Sequence, residues 1–98
     1  MKSKLQVNES SAYLRYKKSL KNRNDLLKKI DQTIELLEKD KTDGSLHFKK
    51  MTCKRNKYRY SIRVLNSSYR ILLTYHEDIA ELQCVCSHDR YDRENKNC

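Results

Sequence analysis

The fold is decided by the stretch KYRYSIRVLNSSYRILLTY, residues 57–75, in which four tyrosines and three arginines follow a period-two pattern. Apolar or aromatic side chains occupy alternate positions on both sides of residues 65–68. Such alternation predicts two strands that each bury one face. Residues 65–68 form the turn between them, and Asn66 tolerates the left-handed conformation that such turns need. The stretch is therefore predicted to be a β-hairpin.

The length of this turn sets which residues face each other across the hairpin. It puts Ile62 opposite Ile71 on the apolar face and Arg63 opposite Arg70 on the other face. Facing side chains have Cβ atoms about 5 Å apart, and like charges there destabilise a sheet unless an anion lies between them. A phosphate would be such an anion, because each guanidinium offers a planar fork of donors. Arginine stems that splay into water, or that meet Glu81, are the alternative.

Two amphipathic stripes precede the hairpin. The first covers residues 9–22, and its apolar positions fall three or four apart: Ala12, Tyr13, Tyr16 and Leu20. The second begins after Asn24 and has the same spacing: Leu27, Ile30, Ile34 and Leu37. Each stripe predicts a helix, the first capped by Asn8 or Ser10 and the second ended by the run KDKTDG. Because the link between them is very short, they are predicted to form an antiparallel hairpin.

The other strands are predicted from shorter alternations. Residues 4–7 form an opening strand, Leu46 and Phe48 alternate with polar neighbours, and residues 76–79 form a turn. Four residues then share one phase in a last strand: Ala80, Leu82, Cys84 and Cys86. The predicted fold is α+β, with an N-terminal strand, a two-helix antiparallel hairpin and a three- to four-stranded antiparallel sheet. A length of 98 residues predicts a single domain over residues 1–98.

The charge of the chain is concentrated around the hairpin. The formal net charge is +9 at pH 7, and no acidic residue occurs between Gly44 and His76. The same segment contains eight basic residues: Lys49, Lys50, Lys54, Arg55, Lys57, Arg59, Arg63 and Arg70. So many cations without local partners favour a polyanion, most commonly nucleic acid, over a solubilising surface or an anionic membrane.

Composition excludes several other classes of function. With one glycine and no proline, the chain has no Gly-rich loop to hold a nucleotide cofactor, and no cofactor is predicted. No apolar run suits a signal peptide or approaches the about 20 residues that span a bilayer, so a cytoplasmic location without a membrane partner is predicted. In that compartment the four cysteines are expected to be free thiols.

A zinc site is an alternative use of the C-terminal residues Cys84, Cys86, His88 and Cys98. Residues two apart on a strand project in parallel about 7 Å apart, which is too far for two sulfurs on one tetrahedral ion unless the strand breaks. The sequence also contains no C-x-x-C pair. No metal site is therefore predicted.

The order of the elements and three short motifs resemble the RelE/ParE superfamily of bacterial and archaeal type II toxins. The motifs are Ser-Ile-Arg at residues 61–63, Tyr-Arg-Ile at residues 69–71, and His88 followed by Tyr91. The resemblance covers nearly the whole chain. It implies a small basic endoribonuclease that cuts mRNA, in the RelE branch commonly at the ribosome, and that is silenced by a cognate antitoxin protein.

The resemblance also implies a set of site residues. Arg70 matches the arginine that grips the scissile phosphate, and Arg63 stands where the family has a basic residue of the preceding strand. His88 stands where the family has arginine or histidine, and Tyr91 matches a C-terminal tyrosine that stacks on a base or assists proton transfer. Ser61 replaces the catalytic lysine of some members, a departure that bears on the strength of any activity. The predicted RNA-binding residues are Lys49, Lys50, Lys54, Arg55, Lys57, Arg59 and Ser61.

The chemistry of metal-free RNA cleavage fits these residues. It needs a base for the 2′-OH proton, positive charge for the crowded phosphorane, and an acid for the departing 5′-oxygen. Histidine titrates near working pH, so His88 is the candidate for proton transfer. On an unbroken strand His88 would share the phase of Cys84 and Cys86 and point to the core, so a strand end or bulge near Ser87 is needed to redirect it.

Two other functions are open at this point. ParE-like members of the superfamily inhibit DNA gyrase and cleave no RNA, and they share the Tyr-Arg strand, so Arg70 does not discriminate. The third reading is a non-catalytic nucleic-acid-binding module. His88, Tyr91 and the basic segment favour the ribonuclease. An acidic or amphipathic helix of the antitoxin is expected to cover part of the basic surface.

Overall fold

A computed structural model describes residues 5–51, 54–55, 57–87 and 93. Its elements, in chain order, are β1 (Gln6–Glu9), α1 (Ser11–Ser19), α2 (Asn24–Lys39), a 3₁₀ turn (Gly44–Leu46), β2 (Lys49–Lys50), β3 (Arg59–Arg63), β4 (Arg70–His76) and β5 (Ile79–Cys86). The predicted α+β order of strand, two helices and antiparallel strands is confirmed. Neither described helix has the length and apolarity required to cross a bilayer.

One sheet of five strands, in the order β1-β5-β4-β3-β2, organises the chain. Strands β2 to β5 pair antiparallel, whereas β1 pairs parallel to β5. The predicted hairpin register is confirmed, with Ile62 opposite Ile71 and Arg63 opposite Arg70. The first and last strands of the sequence are therefore neighbours.

Both turns between the last three strands use residues with positive φ, which was predicted for Asn66 and not for the β4–β5 turn. Asn66 has a φ of 53° in the β3–β4 turn, while Glu77 and Asp78 have φ values of 51° and 64° in the β4–β5 turn. Two consecutive positive φ values match the right-handed twist of the flanking strands. The β4–β5 connection can therefore be only two residues long.

Both helices form where their apolar spacing predicts, but the predicted stripe of α2 is only half right, because Ile30 and Leu37 are buried whereas Leu27 and Ile34 are half-buried. Ser10, rather than Asn8, caps α1, because its Oγ accepts a hydrogen bond from the Tyr13 amide at 3.1 Å. The buried side of α2 is formed by Leu26, Ile30, Thr33 and Leu37. These side chains meet one face of the sheet, whose buried residues are Ile62, Val64, Ile71, Leu73, Ala80, Leu82 and Val85. The main core therefore lies between the helices and this face.

The strand predicted at Leu46 and Phe48 is wrong. Leu46 ends a 3₁₀ turn, and His47 has a left-handed φ of 49°. Leu46 is nonetheless fully buried, and the ring of Phe48 stacks on Tyr60 with centroids 4.8 Å apart. The apolar alternation thus reflects two separate core contacts rather than an extended backbone, and only Lys49–Lys50 form the strand.

The predicted single phase of the last strand is also wrong. Leu73 pairs with Leu82 but its neighbour Leu72 pairs with Cys84, so Gln83 is an extra residue in β5. Such a β-bulge reverses the alternation of all residues beyond it. Val85 consequently joins the main core, and Cys84 packs with Leu72 on the other face of the sheet.

The expectation of free thiols is wrong for Cys84 and Cys86, which are joined by a disulfide bond. Their Cα atoms lie 5.9 Å apart. This is shorter than the about 7 Å between alternate residues of a regular strand and within the about 4.4–6.8 Å that disulfides span. Cys53 and Cys98 lie outside the described residues.

Candidate nucleic-acid interface

The arginines of the hairpin lie on the face of the sheet opposite the main core. We call this the open face; it consists of Arg59, Ser61, Arg63, Arg70, Leu72, Thr74, Glu81, Cys84 and Cys86. It is not exposed throughout, because Ser61 is buried and Leu72, Cys84 and Cys86 form a small buried cluster against which Tyr16 of α1 packs. Across the strands these residues form rows, one of which joins Arg63, Arg70 and Cys86. The arginine pair therefore lies at the end of the open face nearest the β3–β4 turn.

The two arginines of the pair differ in their exposure to solvent. Arg63 is exposed, and its Nε donates a hydrogen bond to the carbonyl oxygen of Ser67 at 3.3 Å. Arg70 is half-buried. Glu81, the alternative partner of the arginines, faces Thr74 and accepts a hydrogen bond from Gln83 at 2.6 Å. The register thus brings two positive charges together at one end of the hairpin and places that carboxylate in a different row.

Helix α2 fixes the turn that carries the arginine pair. The amide of Leu65 donates to the buried Oγ1 of Thr33 at 2.9 Å, and Lys29 Nζ donates to the carbonyl of Asn66 at 3.0 Å. A buried amide that lost its acceptor would cost folding free energy, so this link is strongly favoured. Thr33 was not predicted as functional. The only feature of the sequence that could have indicated its role is its polar side chain among the otherwise apolar buried positions of α2.

A second set of contacts orders the turn from within. Ser67 Oγ donates to the carbonyl of Val64 and accepts from the amide of Tyr69, each at 3.1 Å. The guanidinium of Arg23 donates to the Tyr69 hydroxyl at 3.0 Å. The two strands therefore leave the turn in a defined geometry, which sets the spacing of Arg63 and Arg70.

The middle of the open face is less polar than predicted. Ser61 is only 2% exposed, and its Oγ donates to Met51 Sδ at 3.5 Å, so its hydroxyl faces a thioether and not solvent. Arg59 is half-buried, and its buried Nε has no hydrogen-bond partner among the described residues. Sequence alternation placed both residues on the correct face. It did not show that Met51 covers Ser61, because that contact comes from a segment without regular structure.

The predicted RNA-binding lysines lie mostly along one edge of the sheet. Lys49 and Lys50 are exposed in the edge strand β2, where Lys49 pairs with Ser61 of the open face. Lys54, Arg55 and Lys57 are also exposed. These cations form a border of positive charge beside the open face.

An aromatic pair marks the opposite end of the open face. The rings of Tyr58 and His76 lie 4.1 Å apart, and Lys57 Nζ lies 5.4 Å from the Tyr58 ring centroid. His76 is six residues from Arg70 along β4, which is about 20 Å in a strand. His76 Nε2 also lies 3.5 Å from a carboxylate oxygen of Glu77. Flat rings beside cations are the surface on which unpaired bases stack.

His88 and Tyr91 lie outside the described residues. The predicted orientation of His88 toward the core requires an unbroken β5, whereas β5 contains a bulge at Gln83. Within the part of β5 that is described, the phase of Cys84 and Cys86 belongs to the open face.

The residues that the structure describes contain no cluster of three His, Cys, Asp or Glu side chains that could hold a metal ion. Two of the four candidate zinc ligands, Cys84 and Cys86, are bonded to each other instead. Their sulfurs are therefore not thiolates that could bind zinc in this state.

Two solved structures are similar to the chain over most of its length. One is the YoeB dimer from Staphylococcus aureus, with a TM-score of 0.68, and the other is the YoeB–YefM complex from the same organism, with a TM-score of 0.56. In each case 17% of residues are identical, and the match covers 88% of this chain and 99% of the other. The chain has the fold of YoeB.

This likeness confirms the fold that the resemblance to the RelE/ParE superfamily implies. No protein-family model matches the sequence, and no curated protein matches it either. At 17% identity the likeness to YoeB is one of fold.

Proposed function

We propose that this protein is the toxin of a type II toxin–antitoxin system and that it cleaves mRNA without a metal ion. The observation that carries the proposal is the cross-strand pair of Arg63 and Arg70, at one end of an open face bordered by exposed lysines. Facing like charges are unfavourable in a sheet. A bound RNA phosphate converts that cost into affinity, because it accepts from both guanidinium groups.

In this proposal Arg63 and Arg70 stabilise the phosphorane formed when the 2′-OH attacks the scissile phosphate. Charge that develops on the equatorial oxygens meets two guanidinium groups from facing strand positions, whose backbone register is fixed by the turn. The half-buried Arg70 is the more fixed of the two and grips the phosphate. Arg63 exchanges its long hydrogen bond to Ser67 for one to the substrate.

His88 and Tyr91 complete the proposed site. His88 either accepts the proton of the 2′-OH as general base or donates a proton to the departing 5′-oxygen as general acid, and Tyr91 stacks on a nucleotide. The remaining RNA lies along the open face and is bound by Lys49, Lys50, Lys54, Arg55, Lys57, Arg59 and Ser61. Because Ser61 is covered by Met51, its contact requires that the thioether move aside.

The proposed protein partner is a cognate antitoxin. The similar YoeB is in complex with YefM in one of the two structures, which supports a protein partner for this chain as well. An acidic or amphipathic segment of the antitoxin would cover the basic border and compete with RNA. The proposed substrate is mRNA on the ribosome in the cytoplasm.

Purified protein with Arg70→Ala tests the ribonuclease. The cleavage rate of a defined mRNA, with and without ribosomes, is expected to fall about 100- to 1000-fold, as when one oxyanion donor is removed. Arg15→Ala is the matched control, because Arg15 is exposed on α1 and carries the same charge. Equal losses in both variants would contradict the site. If cells that express the protein stop growing with intact transcripts and damaged DNA, gyrase inhibition would be the better explanation of its function.

A further inference from the structure

The rings of Tyr58 and His76 have no role in the proposed cleavage site; we call them the aromatic platform. His76 ends β4, six residues from Arg70, so the platform lies about 20 Å from the arginine pair. Stacked nucleotides in one strand of nucleic acid rise about 3.4 Å each. An RNA that is held by the arginine pair and follows the open face therefore reaches the platform within about six nucleotides.

The platform is partly exposed to solvent. Its ring centroids lie 4.1 Å apart, and the ring planes are tilted by 40°. Tyr58 is half-buried, whereas 50% of the side-chain surface of His76 is exposed. The amide of Tyr75 donates to the carbonyl of Tyr58 at 2.9 Å, so the hydrogen bonds of the hairpin continue as far as Tyr58. The imidazole therefore has a partly buried ring beside it and accessible surface for a third ring.

The charges beside the two rings of the platform are opposite. Lys57 is exposed, and its Nζ lies 5.4 Å from the centroid of the Tyr58 ring. Beside the other ring, a carboxylate oxygen of Glu77 lies 3.5 Å from His76 Nε2. A phosphate is therefore favoured beside Tyr58 and disfavoured beside His76, where an uncharged base is not repelled.

Positive charge connects the platform to the arginine pair. Arg59 lies in the next row of the open face, where it is the register partner of Thr74. Lys49 is exposed and is the register partner of Ser61, which belongs to the row after that. Sites for single-stranded nucleic acid combine such charge along the backbone with aromatic rings on which the bases stack. The face contains both features.

We propose that the aromatic platform binds one unpaired base of single-stranded RNA, an inference that rests on the proposed function because the RNA must follow the open face. The base stacks on the exposed surface of the His76 imidazole and extends the contact that Tyr58 begins. Lys57 binds the adjacent phosphate. Because every base has a flat ring, stacking adds affinity and fixes the path of the RNA without selecting its sequence.

The test measures the affinity of the full-length protein for two strands of about 12 nucleotides, by fluorescence anisotropy at low salt. One strand is 2′-O-methyl RNA, which lacks the free 2′-OH that the proposed cleavage requires and therefore stays intact. The other is an abasic strand with the same number of phosphates. The wild-type protein is expected to bind the 2′-O-methyl RNA more tightly, because the abasic strand has no ring that could stack.

Three variants identify the part of the affinity that comes from the platform. His76→Gln should weaken binding of the 2′-O-methyl RNA about 5- to 150-fold and leave binding of the abasic strand unchanged, whereas His76→Phe should retain the wild-type affinity for both. Lys57→Gln should weaken both strands alike, because it removes a phosphate contact. The matched control is His47→Asn, which removes an exposed imidazole outside the open face, tolerates the left-handed backbone and should change neither affinity.

The outcomes separate this inference from the proposed ribonuclease. If the wild-type protein binds neither strand, or if His76→Gln leaves both affinities unchanged, the inference is overturned whatever the cleavage assay shows. If His76→Gln weakens only the 2′-O-methyl RNA while Arg70→Ala cleaves normally, the base site stands and the proposed cleavage site falls. The inference also fails if His76→Gln lowers the melting temperature and weakens both strands equally, because the ring would then only support the fold.

Discussion

Replacing Arg63 by glutamine is expected to stabilise the protein while weakening its hold on RNA. Arg63 and Arg70 are register partners, and two unit charges about 6 Å apart in water repel by about 0.7 kcal/mol. The hydrogen bond from Arg63 to Ser67 is long, 3.3 Å, and exposed, so its loss subtracts little from this gain. The net rise in the free energy of unfolding is expected to be about 0.5 kcal/mol at low salt.

Thermal unfolding followed by circular dichroism can measure this effect. For a domain of about 100 residues, a gain of that size raises the melting temperature by about 2–4 °C. Most of the rise should disappear in 1 M salt, where charges are screened beyond about 3 Å. Arg15→Gln removes an equal charge from α1 and should produce a smaller rise, because Arg15 has no cross-strand partner.

The opposite outcome would refute the reasoning. If Arg63→Gln lowers the melting temperature at low salt, or changes it equally at low and high salt, the pair is not under electrostatic repulsion. The open face would then lack the strain that a bound phosphate relieves. The affinity for RNA, measured on the same samples, should fall for Arg63→Gln and remain unchanged for Arg15→Gln.

Three further predictions concern the surroundings of the pair. Thr33→Val leaves the Leu65 amide without its acceptor and should lower the free energy of unfolding by about 1–3 kcal/mol, with faster hydrogen exchange at Leu65 that Thr33→Ser does not show. Asn66→Ala should cost about 1 kcal/mol in urea unfolding, whereas Asn66→Gly should cost less, because the residue has a positive φ. Reduction of the disulfide between Cys84 and Cys86 should lower stability by about 1–2 kcal/mol, and an unchanged urea midpoint would contradict this.

The hairpin could be predicted from the sequence because the alternation of its strands and the position of its turn lead to the same register. Period-two alternation fixes which face each strand buries, and Asn66 fixes where the chain turns, so only one register satisfies both. The prediction of Arg63 opposite Arg70 follows from that register and from no other information. The Ser10 cap of α1 and the presence of both helices follow from equally local patterns and are confirmed, whereas in α2 the buried stripe includes Leu26 and Thr33 in place of the predicted Leu27 and Ile34.

The features that sequence did not reveal depend on contacts between distant segments. Because of the bulge at Gln83, Val85 rather than Cys84 faces the main core. Residues 84–86 are all small and apolar, so their sequence is compatible with either orientation. Cysteine and valine are both among the residue types most often buried, so the identity of the residues did not show which of them faces the main core. The parallel pairing of β1 with β5 and the link from Thr33 to Leu65 join residues far apart in the sequence, and a local pattern carries no trace of them.

The position of β5 constrains when the protein can act during its own synthesis. Among the five described strands this one is synthesised last, yet it lies between β1 and β4 and provides the only described sheet partner of β1. A nascent chain that ends near residue 78 exposes the apolar sides of two elements and cannot close its core. Folding of this sheet therefore waits until β5 has been synthesised, so fragments from translation interrupted before residue 79 should not fold and should be readily degraded.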